Sequence, residues 1–252
     1  MNETGKIYRM NPHNWDLDEI TDNPMSVDCA FAGMDRKLYV TEKGEMKMFD
    51  LEKREWKEGP KPLEYLHDWL TTAVSPGSIF ICGGRNQNNA EQKSVFCFSV
   101  ETGQWIRLCD MKYERSSLGT CYGDSCLHVI GGMTNSTKHE RLDLRTSRWE
   151  ELATLPVERW SHAVSPHEDH LLLAGGSGGR EVFVYDRRSN SWREGPSMME
   201  ERDYHGLICW NRNLYAVGGW ENSSVEVFDG TKWEIIKKYK ISDFWRACRM
   251  MN

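Results

Sequence analysis

The chain has 252 residues, enough for one large all-β or α/β-barrel domain or for two average domains. Its net charge of −6 argues against a nucleic-acid-binding protein, which would show a basic footprint, and against a polybasic membrane anchor. No uncharged apolar stretch approaches the roughly 20 residues that span a bilayer, and the N-terminus lacks the apolar stretch of a signal peptide. We therefore expect neither a nucleic-acid partner nor a membrane partner.

The eight cysteines show no C-x-x-C pair and no Cys/His spacing typical of a zinc site. Cys82, Cys97 and Cys209 lie inside apolar runs, where a reduced cysteine packs as a small hydrophobic residue. We expect reduced thiols in the cytoplasm, with no metal and no cofactor.

Short apolar runs followed by a glycine doublet recur along the chain. The first run, Leu38-Tyr39-Val40, has Glu42-Lys43 at the doublet position. The next four runs end in doublets that start 48, 44 and 43 residues apart, at Gly83-Gly84, Gly131-Gly132, Gly175-Gly176 and Gly218-Gly219. Self-similarity at a period of about 45 residues indicates a repeat architecture.

Six tryptophans follow the same period, with separations of 41, 49, 44, 43 and 41 residues: Trp15, Trp56, Trp105, Trp149, Trp192 and Trp233. An apolar residue precedes the first five by seven positions and the sixth by five, and Asp follows that residue in four repeats. Short β-branched and aromatic runs between turn residues predict strands. Each repeat therefore predicts four strands, in the order inner strand, glycine-doublet strand, Tyr/Phe-Asp strand and tryptophan strand.

With its apolar run, Gly-Gly, Tyr/Phe-Asp and Trp in this order, the chain resembles the Kelch-repeat family, over essentially its whole length. A WD40 propeller fits poorly, because a Trp-Asp dipeptide occurs only at Trp15-Asp16. The resemblance implies an all-β fold, a six-bladed Kelch β-propeller with four-stranded blades, as a single domain over residues 1–252.

The two termini are expected to share the closing blade. The chain starts with a third strand at 6–10 and a fourth strand around Trp15, and the segment 241–248 aligns with the inner strands. The second strand of that blade would fall before Met1. We therefore expect either a longer parent protein or a closing blade of three strands. The first fits the resemblance better, since Kelch domains commonly follow BTB and BACK domains in ubiquitin-ligase adaptors.

Alternating strand direction places the loop that enters each inner strand beside the loop that joins the second and third strands. The entry position holds an arginine in three successive repeats, and holds Ser26, His67 and Asp243 in the others. Arginine binds carboxylates and phosphates bidentately, and Arg, Tyr and Trp are enriched at interface hot spots. We expect this face to bind a short acidic or phosphorylated peptide segment of a protein partner. The candidate partner-binding residues are Arg85, Arg115, Arg159, Arg180, Arg202, Trp160, Tyr204, His205, Trp220 and Trp245.

The resemblance supports this hypothesis, because the arginine that enters strand one is a typical contact in Kelch adaptors that bind acidic motifs. The alternative is equally common: such an arginine caps loops or pairs with the carboxylate of a neighbouring blade. A copper enzyme of the galactose-oxidase type, suggested by His162 and His205, would need a Tyr–Cys crosslink, and no cysteine matches that position. With no G-x-S-x-G, H-E-x-x-H or P-loop motif either, we expect no enzyme activity.

The leading functional prediction is a protein-interaction module, the substrate-recognition domain of a cullin-RING ubiquitin-ligase adaptor. The ligase itself would be bound through a domain outside this chain. The alternative is a cytoskeletal Kelch protein that binds actin. The isolated domain is expected to be a cytoplasmic monomer.

Overall fold

A computed structural model describes residues 5–11, 13–25, 29–62, 71–240 and 250–251 of the chain. Every regular element in these ranges is a β-strand, and none of the described segments is a helix able to cross a membrane. The chain begins with a two-stranded antiparallel sheet, which we call the N-terminal hairpin, made of β1 (Lys6–Met10) and β2 (Leu17–Asp22).

Five sheets of four consecutive antiparallel strands follow, and we call them blades A to E. Blade A contains β3 (Ala30–Met34), β4 (Lys37–Glu42), β5 (Glu45–Asp50) and β6 (Glu55–Glu58). Blade B contains β7 (Thr71–Ser75), β8 (Ser78–Cys82), β9 (Val95–Ser99) and β10 (Gln104–Arg107). Blade C contains β11 (Gly119–Gly123), β12 (Cys126–Ile130), β13 (His139–Asp143) and β14 (Arg148–Glu151).

Blade D contains β15 (Ala163–His167), β16 (His170–Gly176), β17 (Gly179–Asp186) and β18 (Ser191–Gly195). Blade E contains β19 (Gly206–Trp210), β20 (Asn213–Val217), β21 (Ser224–Phe228) and β22 (Trp233–Lys238). A short strand near the C-terminus, β23 (Met250–Met251), pairs in parallel with β3 and extends blade A at its inner edge.

The strands of each blade run from the centre outward in chain order, as the repeat predicts. The inner strands contact one another in the order β3, β7, β11, β15 and β19, so the blades are arranged side by side around a centre. Second strands such as β16 are buried from Leu171 to Gly176, because neighbouring blades cover both faces of the sheet. A continuous apolar run is the sequence signature of a strand in that position.

In blades A to E, the apolar residue that precedes the tryptophan lies opposite it as a cross-strand pair. Trp105 lies directly opposite Phe98 and Trp192 opposite Tyr185, with ring centroids 5.1 Å apart in both pairs. Trp233 pairs with Phe228 in the same way across a shorter loop. Four of these tryptophans pack into the apolar clusters between adjacent blades: Trp105, Trp149, Trp192 and Trp233. These four rings are therefore part of the packing between blades.

The predicted count of six blades is not confirmed, because the described residues form five four-stranded blades. The N-terminal hairpin occupies the expected sixth position: Trp15 packs on Tyr215 of blade E, with centroids 5.0 Å apart, and Trp56 of blade A donates to Thr21 Oγ1 at 3.1 Å. Trp15 follows Tyr8 by seven residues, yet Tyr8 pairs with Glu19. The spacing is present in this repeat, but the cross-strand pair is not.

Close to the C-terminus, the described strand β23 pairs with β3 of blade A. The segment 241–248, which was expected to supply the inner strand of the closing blade, lies outside the described residues.

The three cysteines singled out in apolar runs occupy the expected positions. Cys82 is buried, while Cys97 and Cys209 are half-buried. Burial raises the pKa of the Cys82 thiol far above its ordinary value, so this side chain is a neutral part of the core.

Candidate functional site

The loops that enter the inner strands and the loops that join second to third strands share one face, as expected, and we call it the loop face. In blade C, Gly132 N donates to the carbonyl oxygen of Arg159 at the entry of blade D, at 2.9 Å. Gly84 N and Gly176 N make the same contact with Arg115 O and Arg202 O of the next blades, at 3.0 and 2.8 Å. These bonds connect each of these three doublets to the entry loop of the following blade.

The doublet glycines are required by this connection. Gly131 has a φ of 58°, in the left-handed region, and a Cβ there would collide with the carbonyl oxygen of Arg159. The glycine doublets that mark the repeat in the sequence therefore form the joint between neighbouring blades at the loop face.

Arg115 and Arg202 point into their own blades, with relative exposures of 0% and 1%. Arg115 donates to Gly131 O at 3.0 Å and to Lys138 O at 2.9 Å, and it pairs with the buried carboxylate of Glu140. The prediction that these two arginines face a partner is corrected: each holds together the two ends of the loop between the second and third strands. The alternative drawn from the sequence, a structural ion pair, is what the structure shows. The carboxylate belongs to the same blade and not to a neighbouring one.

Arg202 repeats the arrangement in blade E. Its guanidinium donates to Gly218 O at 2.6 Å, to Ser224 O at 3.0 Å and to Glu226 Oε1 at 2.9 Å. Burial lowers the pKa of the Arg202 guanidinium, and the charge of Glu226 opposes that shift. Removal of either partner would leave a buried charge without its counter-ion and would destabilise the blade.

Arg159, at the entry of blade D, is the exception among the three. It donates to Gly176 O at 2.9 Å and to Glu181 Oε2 at 2.8 Å, and the side chain of Glu181 is 51% exposed. The carboxylate of this ion pair therefore reaches the surface of the loop face, while the side chain of Arg159 is only 10% exposed.

Exposed side chains of the loop face follow the glycine doublets. Trp220 is 51% exposed and Met133 46% exposed, and Arg180 is also exposed. Arg85 is half-buried: Nη1 donates to Asn89 Oδ1 at 3.0 Å, and Nη2 lies 3.6 Å from the sulfur of Met133. Met133 was absent from the sequence candidates, although it stands one residue after its doublet, as Trp220 does.

Backbone contacts join the candidates of blades D and E into a continuous surface. Trp160, half-buried, accepts a bond from Ser177 N at 3.0 Å, and Gly178 N donates to the carboxylate of Asp203 at 3.1 Å. The Asp203 carbonyl in turn accepts from Trp220 N at 2.8 Å. The structure thus connects Trp160 to Trp220 through Ser177, Gly178 and Asp203, and Arg180 follows Gly178 by two residues, at the start of β17.

A polar cavity of about 170 Å³ lies at the centre of the loop face. Ser117, Ser161 and Tyr204 border it, each with a positive φ, and Ser161 N and Tyr204 N each donate to the preceding member's carbonyl at 2.8 Å. Tyr204 is half-buried, and its place at the cavity agrees with its candidate role.

His205 lines the same cavity but is buried, contrary to the expectation of a surface contact. Burial, followed by the charge of Arg202, lowers the pKa of its imidazole to about 3, so the ring is neutral. Among the described residues, no three His, Cys, Asp or Glu side chains are grouped so that they could hold a metal ion. Trp245 and the entry positions Ser26, His67 and Asp243 lie outside the described residues.

Comparison with known proteins agrees with the repeat and the fold. A family model described as "Kelch motif" matches residues 70–112 and 161–199. Kelch-like protein 36 of Bos taurus is 26% identical over 196 residues, covering 71% of this chain and 32% of that protein. Kelch-like protein 23 of Homo sapiens is 26% identical over 205 residues, covering 75% and 36%. The chain spans about a third of the length of these curated relatives.

A solved structure titled "Structure of YjhT" superposes with a TM-score of 0.77 at 14% identity, covering 92% of this chain and 91% of that one. At this identity the likeness concerns the fold alone. The glycine-doublet joints, the tryptophan pairs, the matched motifs and this neighbour agree: the chain is a β-propeller that carries Kelch motifs.

Proposed function

We propose that this propeller binds a protein partner through the loop face. The observation that carries the proposal is the continuous surface formed by Trp160, Arg180 and Trp220, extended by Arg85 and Met133 on blades B and C. Aromatic and arginine side chains supply most of the binding energy at protein interfaces. Trp220 is one of the large apolar side chains that are exposed among the described residues.

The segment recognised at this face is acidic or phosphorylated. With Arg115, Arg159 and Arg202 buried, the cations left to contact such a segment are Arg85 and Arg180. They lie at the loop face in blades B and D, so a bound segment would lie toward that side of the face. A guanidinium binds a carboxylate or a phosphate through two parallel hydrogen bonds.

In the parent protein, the propeller serves as the substrate-recognition domain of a cytoplasmic cullin-RING ligase adaptor. Support comes from the Kelch-like relatives, which are about three times as long as the matched segment and so have room for further domains. The second candidate is actin binding by a cytoskeletal Kelch protein.

The test captures partners on the double variant Arg180→Ala/Trp220→Ala. Its matched control, Arg188→Ala/Ile106→Ala, also removes one exposed cation and one exposed apolar side chain, away from the loop face. We expect Arg180→Ala/Trp220→Ala to lose partners that the wild type and the control retain. Retention of every partner by this double variant would refute the proposal. Cosedimentation of the wild type with actin filaments would favour the second candidate.

A further inference from the structure

We propose that Met133 is a site of reversible oxidation, and that its sulfoxide accepts a hydrogen bond from the guanidinium of Arg85. The oxidant is a peroxide, and methionine sulfoxide reductases restore the thioether. This inference goes beyond the proposed function, because it concerns a chemical modification of the loop face and requires no partner. It follows from the exposure of one methionine and from the groups that surround its sulfur.

Met133 is one of two methionines that are exposed to solvent among the residues whose burial the structure describes. Its relative exposure is 46% and that of Met199 is 54%, whereas Met111 and Met198 are 2% and 1% exposed. A thioether reacts with a peroxide where the peroxide can reach the sulfur. Exposure therefore selects Met133 and Met199 as the accessible thioethers of the described part of the chain.

These two methionines differ in what lies beside the sulfur. Arg85 Nη2 lies 3.6 Å from the sulfur of Met133, across the boundary between blades B and C. Met199, at the entry of blade E, makes its described hydrogen bond through the backbone, from its N to Glu226 Oε2 at 2.6 Å. Of the two, Met133 is therefore the one whose oxidation acts on a neighbouring cation.

Met133 and Arg85 are held beside each other by a ring of contacts between blades B and C. Met133 N donates to Ser116 O at 2.9 Å, and Ser116 Oγ donates to Glu91 Oε1 at 2.6 Å. Arg85 Nη1 donates to Asn89 Oδ1 at 3.0 Å, while Arg85 Nη2 lies 3.8 Å from Glu91 Oε1. That second distance is too long for a hydrogen bond, so the described acceptor of Nη2 is the sulfur.

The oxidation itself is a two-electron oxygen transfer. A lone pair of the Met133 sulfur forms a bond to one oxygen of hydrogen peroxide, and the O–O bond breaks. The proton of the transferred hydroxyl goes to the departing hydroxide, which leaves as water. The sulfur loses two electrons and the peroxide gains them, so the step needs no further reactant.

The sulfoxide would give Arg85 Nη2 the oxygen acceptor that it lacks. A thioether is a weak hydrogen-bond acceptor, whereas a sulfoxide is polar. An N–H···O bond is about 2.9 Å long, and an oxygen bonded to the sulfur on the side of Arg85 can reach that distance from Nη2. In the oxidised protein, an acidic group from outside therefore has to compete with Met133 for this guanidinium.

The first measurement treats the folded protein with hydrogen peroxide and follows each methionine by peptide mass spectrometry. We expect Met133 and Met199 to be oxidised first, and Met111 and Met198 at least about tenfold more slowly, because buried positions react only after local opening. The two methionine sulfoxide reductases, one for each sulfoxide epimer, should then return Met133 to the thioether. Oxidation of Met133 no faster than that of Met111 would overturn the inference.

The second measurement observes the side-chain signal of Arg85 by ¹⁵N NMR, assigned by its loss in Arg85→Lys. We expect this signal to shift in proportion to the sulfoxide content of Met133 and to return after reduction. Met133→Leu conserves volume at an exposed position and should abolish the shift, while the matched control Met199→Leu should keep it. An Arg85 signal that stays in place when Met133 is fully oxidised, or that moves equally in Met133→Leu, would overturn the inference.

The outcome is independent of the partner capture described above. If Arg85 responds as expected while Arg180→Ala/Trp220→Ala keeps every partner, the protein-binding function fails and the oxidation site stands. If that double variant loses its partners while the Arg85 signal does not respond, only the role of Met133 fails.

Discussion

Four buried histidines make the stability of this propeller sensitive to mild acid. His128 on β12 and His139 on β13 face each other, with Nδ1 of the first 3.0 Å from Nε2 of the second. His162 and His205 lie buried at the cavity of the loop face. Burial is the largest cause in each case and lowers the pKa of His128, His162 and His205 to about 3, and that of His139 well below its ordinary value.

The sign of the effect follows from these directions. Since the pKa of each histidine is lower in the folded chain, the unfolded chain binds protons first, and stability present above pH ~6.5 is lost as the pH falls below it. Between about pH 7 and about pH 5.5, protonation of the unfolded chain at each histidine lowers the free energy of unfolding by about 1.3 kcal/mol. For all four histidines the decrease is about 5 kcal/mol. That is comparable to the whole free energy of unfolding of a typical domain, about 5–15 kcal/mol.

Urea unfolding at the two pH values measures this loss. The variant His128→Gln/His139→Leu should lose about 2 kcal/mol less than wild type over the same interval, because two of the four protonation sites are gone. His13→Gln, which changes an exposed histidine, is the control and should behave as wild type. A wild-type loss below about 1 kcal/mol would refute the reasoning, since it would mean that the folded chain takes up protons as readily as the unfolded one.

Three further changes separate the structural residues of the loop face from its surface, and urea unfolding measures each. Glu140→Ala leaves a buried arginine without its carboxylate and should cost about 3–5 kcal/mol, against less than about 1 kcal/mol for Glu181→Gln; equal losses would contradict the contrast between blades C and D. Gly131→Ala forces a Cβ against the Arg159 carbonyl at a positive φ and should lower the free energy of unfolding by about 1–3 kcal/mol. An unchanged free energy of unfolding would mean that the backbone between the blades shifts to accommodate the methyl group. Trp105→Ala should cost about 3–5 kcal/mol through the cavity left between blades A and B, and a loss below about 1 kcal/mol would exclude a core role.

The blade architecture could be predicted because its signals are local. The seven-residue interval from Phe98 to Trp105 contains one hairpin loop, so the interval itself encodes the cross-strand pair. The blade count could not be read from the same interval. Tyr8 and Trp15 keep the spacing, but Trp15 has a positive φ and precedes β2 instead of lying on it. Spacing fixes which residues can pair, while the register of a hairpin depends on turn geometry that the spacing does not contain.

The orientation of the entry arginines was decided by residues far from them in the chain. Arg115 and Arg159 occupy the same place in the repeat, but one faces Glu140 and the other Phe183 on the third strand of its blade. The signal was present in the sequence, 25 and 24 residues downstream, at positions that become comparable only once the aspartates ending the third strands are aligned. Without that comparison, a buried ion pair and a surface contact look identical.

Comparison of equivalent positions in the blades therefore distinguishes the residues that join the blades from those available to bind a partner. A residue that recurs at the same place in successive blades, such as the second glycine of the first three doublets, makes the same bond to the next blade each time. The position one residue after the doublet differs in every blade, as Arg85, Met133, Ser177 and Trp220, and these side chains are the half-buried or exposed ones. Because each blade must join the next in the same way, only the positions left out of the joint are free to differ. Arg159 makes the common joint through its carbonyl, while its buried guanidinium lies against Phe183 instead of a buried carboxylate and pairs with the half-exposed Glu181.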